Sequence, residues 1–180
     1  MIISAVNYKI TYLASSNQKI FLVKAATGHT KYMIKDTLKK LIIRDLEKLK
    51  QEIEAYQNEK KLWYIEKGIL NSAGNLCLHL VGNLNAYVGA EFGKTGYVRN
   101  RADEFALKDV PRAELVDKIE KTIIMIDKTF DMISEDQLNE KYPAEISLKD
   151  ASAEYFFVHL AMHLDYHLGQ INYHRRLLDN

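Results

Sequence analysis

Three of the six histidines, His159, His163 and His167, stand at successive steps of four residues in the stretch YFFVHLAMHLDYHLGQINYHRRLL. Chance gives about 0.2 such pairs among six histidines in a chain of this length, against the two seen here. On a helix that spacing stacks the rings on one face, with neighbours roughly 6 Å apart. Adjacent imidazoles resist protonating together, and buried ones need hydrogen-bond partners. A divalent cation meets both demands, because neutral imidazole nitrogen is its natural ligand. His163 and His167 are close enough to share one ion, but two ligands rarely hold a metal tightly, so a third must come from another helix. His79, within LCLHLVGNL, is the candidate, with Asn75 and Asn83 one turn before and one turn after it. His159 either joins the ligands or lines the pocket. His29 and His174 read as structural or surface residues, and His174 with Arg175 and Arg176 suits the negative end of a helix dipole. Cys77, two residues from His79, lies on another face and reads as a small buried residue.

These side chains need helices to position them, and the helix period is strong. Leu38, Ile42, Leu46, Leu49, Ile53 and Tyr56 recur at steps of three or four, which predicts a first helix over 34–58. Lys48/Glu52 and Lys50/Glu54 are spaced as i,i+4 ion pairs on its opposite face. A connector containing Leu62, Trp63 and Tyr64 follows. Ser72 suits the N-cap of a second helix that reaches Phe92, where Gly93 ends it. The segment 93–109, GKTGYVRNRADEFALKD, reads as a long charged loop. A third helix opens near Pro111 with the stripe Leu115, Ile119, Ile123, Ile126, Phe130 and Ile133. Ser147-Leu-Lys-Asp150 resembles a capping box, so a fourth helix is expected over 148–178. Four long helices, no strand pattern and two long connections predict an all-α four-helix bundle with crossover loops. Residues 1–32 carry no sustained period and read as an N-terminal extension, with 33–180 as the bundle domain.

Composition narrows the function. Apolar residues make up 47% and charged residues 27% of 180, a globular balance that argues against disorder. A net charge of +1 provides no basic excess for phosphates, so nucleic acid is not expected as a partner. No run approaches the roughly 18 apolar residues of a membrane helix, and MIISAVNYK lacks the charged lead and apolar run of a signal peptide. A single cysteine suits a reducing compartment, so the expected location is the cytoplasm.

His163-Leu-Asp-Tyr-His167-Leu-Gly-Gln170, with the isolated His79 in the second helix, resembles the HxxxH-x-GQ signature of the DinB-like (YfiT-like) metalloprotein superfamily, over about residues 33–179. The runs LHLVGNLNAYVGA and GKTGYVRNRADEF look like an uncharacterised branch of it. The resemblance implies an up-down-down-up four-helix bundle, often a homodimer, in which His79, His163 and His167 hold one metal. It also implies metal-dependent transferases that use small thiols, or a thiol-dependent isomerase.

Three neutral histidines would leave a Zn, Ni, Fe or Mn ion its full charge and an open position. Water there is acidified toward a pKa near 7 with zinc, and a thiol is held as thiolate. The expected protein is therefore a metal-dependent small-thiol transferase or hydrolase with a small-molecule substrate. The alternative is a non-catalytic metal or small-ligand binding protein of a stress response. Tyr97, Arg99 and Arg101 are the candidates for gripping an anionic substrate, since arginine donates paired hydrogen bonds to carboxylates. Asn75, Asn83, His159 and Gln170 are the candidates for orienting the ligands. No carboxylate stands out as a general base, because Asp165 is two residues from both helical ligands and faces away from them.

Overall fold

A computed structural model describes residues 33–146 and 148–179. The expected extension at 1–32, His29 and the capping role of Ser147 lie outside them. The described residues are mostly helical, with one isolated bridge between Lys141 and Ser152 and no strand.

Helix α1 (Ile34–Glu54) buries Leu38, Ile42, Leu46, Leu49 and Ile53 along the stripe its sequence period predicts. Full burial of one such side chain is worth about 1.5–3 kcal/mol. The helix stops four residues short of expectation, and Tyr56 just beyond it is buried as well. Its charges do not pair at i,i+4 as expected: two reach neighbouring helices and one pairs at i,i+3 within α1. Lys50 reaches Glu120, Glu52 accepts from Arg175 at 2.7 Å, and Lys48 pairs with Asp45 at 3.4 Å. A 3-10 turn (Glu59–Trp63) then buries Leu62 and Trp63.

Helix α2 (Ala73–Leu84) begins at the expected cap, where the Ser72 hydroxyl accepts from Asn75 N. All twelve of its residues are buried. It packs against α1, α3, α4 and α6, so its polar residues must find partners inside the protein. After Leu84 it widens into a π turn (Asn85–Ala90). Gly93 N donates to Val88 O at 3.2 Å, the five-residue step of such a turn, and Asn85 Nδ2 ties the widened stretch to Val81 O and Thr122 Oγ1.

The expected loop 93–109 contains a short helix, α3 (Arg101–Ala106), capped by the Asn100 side chain. Helix α4 (Arg112–Met132) starts directly after Pro111 and buries Leu115, Ile119, Ile126 and Phe130, while Ile123 packs at the edge of the core. A five-residue helix that the sequence reading missed, α5 (Glu135–Asn139), carries a full capping box between Ser134 and Gln137. Helix α6 (Ala153–Leu178) opens at Ser152, not at 148, because Asp150 at φ 55° sits in the left-handed region and no helix passes through it. Helix α1 packs against α4 and α6, and α2 runs beside α4 and α6. No helix among the described residues is long and apolar enough to cross a membrane.

Candidate metal centre

Helix α6 buries Phe156, Leu160, Leu164, Leu168 and Ile171 toward the core. His163 and His167 flank this stripe and are half-buried at the seam with α2. His79 meets them from α2 with 7% of its surface exposed. Nε2 of His163 lies 3.3 Å from Nε2 of His79 and 3.1 Å from Nε2 of His167. One nitrogen from each of the three rings falls within 4.8 Å of the others. The ring planes cross at 69°, 82° and 90°, so the rings present edges to a common point and do not stack.

The outer nitrogens explain why the inner ones converge. His79 Nδ1 is 2.9 Å from Glu104 Oε2, and His167 Nδ1 is 2.6 Å from Gln170 Oε1. Glu104 only accepts, and Gln170 accepts when its amide oxygen faces the ring; a proton on each Nδ1 would leave both Nε2 atoms as lone pairs turned inward. His163 Nδ1 is 3.2 Å from the amide of Asn83, whose two ends exchange by a half-turn and so meet either tautomer. Ligands set about 90–109° apart around an ion at about 2.1 Å lie roughly 3.0–3.4 Å from one another. The two Nε2 separations fall in that interval, and the donor set fits a divalent cation.

Two of the rings, His163 and His79, are pushed toward the uncharged form that a ligand needs. Burial, then the neighbouring His167 and His79, push His163 down to about 4. Burial also lowers His79, against the opposing pull of Glu104. His174 is elsewhere in the core. It bonds Tyr56 Oη at 2.7 Å and Tyr64 O at 2.9 Å, a buried structural role with no part in the cluster. Burial pushes the Cys77 thiol up to about 12, leaving it a poor nucleophile.

Other candidates fall in different places. Asn83 touches both His79 and His163, and Gln170 holds His167. His159 is exposed and stacks between Phe156 and His163, at 5.9 and 6.3 Å between ring centres. Asn75 does not orient a histidine; its amide donates to Glu104 O and Leu107 O at 3.0 and 2.9 Å, fastening α3 to α2. Arg99 is taken up by Glu104, donating from Nε at 2.6 Å and from Nη2 at 2.7 Å, and so has no free fork for a substrate anion. Arg101 lies over the Phe105 ring, and Tyr97 lines a cavity of about 410 Å³ with Asn85, Glu104, Lys118 and Thr122.

Glu104 escaped the sequence reading. It is 5% exposed and sits on α3, inside a segment read as loop. Asn100, whose side chain caps the helix at Asp103 N, was the available sign that a helix begins there. A groove of about 420 Å³ borders His167 and Gln170. Ile69, Leu70, Leu76, Tyr166 and Tyr173 form its apolar walls, and no charged side chain lines it.

These features define an all-α protein with a three-histidine cluster at metal-binding distance. The chain belongs to the family described as "Protein of unknown function (DUF1572)", whose model matches residues 29–180. A solved structure described as a conserved protein from Enterococcus faecalis is 17% identical, with a TM-score of 0.64 over 82% of this chain and 98% of that one. That likeness concerns the fold. No curated protein matches the chain.

Proposed function

We propose that the protein is a metal-dependent enzyme of the DinB-like superfamily, a small-thiol-dependent transferase or a hydrolase, in which His79, His163 and His167 hold one Zn, Ni, Fe or Mn ion. The observation that carries this reading is the convergence of three Nε2 atoms, with Glu104 and Gln170 behind two of the rings. We read α1, α2, α4 and α6 as a four-helix bundle with long crossovers, a reading supported by the packing of α1 on α4 and α6 and of α2 beside both.

A divalent ion bound by three neutral imidazoles supplies positive charge that acidifies water or a thiol to its nucleophilic form. The chain's own groups do the rest. The groove beside His167 takes the apolar body of an uncharged electrophile, since its walls carry no charge to attract an anion. Gln170 keeps His167 aimed inward from the groove's edge. His159, exposed and stacked on His163, borders the cluster on its solvent side.

The test is metal analysis of untagged protein, followed by a turnover screen pairing several metals and low-molecular-weight thiols with electrophiles, and water with esters and amides. Metal bound at one per chain with turnover that requires all three histidines is expected. No turnover with any pairing would end the enzymatic reading. The second reading, a non-catalytic metal-binding protein, is favoured by the Asn83 amide, which lies 3.4 Å from His79 Nε2 and would block the open position by turning its oxygen inward. An Asn83→Ala variant that gains turnover would support it.

We further propose a homodimer through the N-terminal half of α6, which exposes Tyr155 and Met162 (61% and 68%) seven residues apart, while Tyr166 and Tyr173 belong to the groove beside His167. Such an apolar face is unusual on a monomer. Light scattering of Met162→Glu should show the monomer if this face pairs.

A further inference from the structure

The segment 99–107 meets two residues of the polar strip of α2, Asn75 and His79, while His163 meets Asn83. Asn75 pins the carbonyls of Glu104 and Leu107, and Asn100 caps α3. Glu104 then passes over Gly82, where any Cβ would run into its carboxylate. The carboxylate ends against His79 Nδ1 at 2.9 Å, and Arg99 Nη2 stands 3.2 Å from the same nitrogen. Two opposed groups therefore compete for one imidazole nitrogen. Glu104 accepts only, and would hold a proton on Nδ1; Arg99 donates only, and would drive that proton to Nε2.

We infer that Glu104 is a positioning residue that decides this contest, fixing His79 with its proton outward so that Nε2 faces the cluster as a lone pair. Arg99 has the complementary role. By occupying both carboxylate oxygens it keeps Glu104 turned away from the three Nε2 atoms, so that Glu104 supports a ligand without becoming one. The segment 99–107 is thus a strap that delivers a carboxylate to the back of one imidazole. This rests on the metal reading above only for its consequence; the tautomer of His79 belongs to the metal-free protein.

The experiment compares wild type, Glu104→Met and the double variant Arg99→Met/Glu104→Met, all untagged. Two-bond 15N–1H correlation spectra of the metal-free proteins report which His79 nitrogen holds the proton, and chelator competition gives the Zn2+ affinity. Wild type is expected to show the proton on Nδ1. Glu104→Met leaves Arg99 alone facing Nδ1, so the proton moves to Nε2 and Zn2+ affinity falls about 10- to 100-fold. The double variant removes the competing donor and recovers part of that loss. A purely structural role predicts the reverse order, with the double variant weaker than the single. If Glu104→Met does not fold, Glu104→Gln reads the same signals, with both tautomers populated and affinity about tenfold weaker. An unchanged His79 spectrum with Zn2+ affinity within twofold of wild type overturns the inference. Wild type that shows the Nδ1 proton yet binds no Zn2+ overturns the metal reading instead.

Discussion

Gly82→Ala sets two physical effects of opposite sign against each other. Gly82 lies inside α2, and alanine in a helix interior is favoured over glycine by about 0.8–1.0 kcal/mol. Backbone propensity alone therefore predicts a more stable protein. The added Cβ, however, would stand 2.9 Å from the Glu104 carboxyl carbon and closer still to Oε1, so the carboxylate must leave. Leaving strands Arg99, which is largely buried, and removes the acceptor from His79 Nδ1. Breaking a buried ion pair costs about 3–5 kcal/mol, so the net expectation is a loss of roughly 2–4 kcal/mol. Urea denaturation of the metal-free protein measures it, with the slope checked for constancy so that a midpoint change is a stability change. A Gly82→Ala protein as stable as wild type, or more stable, would refute both the close approach of Glu104 and the role assigned to the strap.

Zn2+ at about 100 times its dissociation constant should stabilise the untagged protein by about 2.7 kcal/mol, read as a rise in Tm of several degrees, and His167→Ala should abolish that rise. His174→Ala should do the opposite, losing about 1–3 kcal/mol by stranding Tyr56 Oη and Tyr64 O yet keeping the Zn2+ response. His163 and His79 both have folded-state pKa values below the ordinary histidine value of 6.5, so the unfolded chain binds more protons. Stability of the metal-free protein is then present above about 6.5 and is lost as pH falls toward about 4, the value of folded His163. Denaturation midpoints across that window should fall more steeply for wild type than for His163→Ala; equal slopes would refute the assignment.

Two kinds of sequence signal meet at this site, and they were not equally readable. Spacing within one helix is local, so the i,i+4 rows that make the buried stripe of α1 and set His163 beside His167 are visible in the string of residues. Partnership between segments is not local. Glu104 and Arg99 look like any charged loop residues until α3 is known to lie on α2, and the same blindness turned the expected Lys50/Glu54 pair into Lys50 with Glu120. Element ends were misjudged for a related reason: the left-handed backbone at Asp150 and the π turn after Leu84 are settled by neighbouring segments more than by helix propensity.

One inference was nonetheless within reach. A strip of Asn75, His79 and Asn83 in a helix otherwise made of Leu, Val, Ala, Gly and Cys cannot be buried on every side without donors and acceptors arriving from elsewhere. His163 answers from α6 for two of those residues, and α3 answers for Asn75 and for the outer face of His79. The polar content of α2 therefore counts the segments that must close over it. With one ring edge committed to α6, the other edge of His79 required a second visitor, and the segment just after α2, the one richest in unassigned charge, was the nearest in sequence able to supply one.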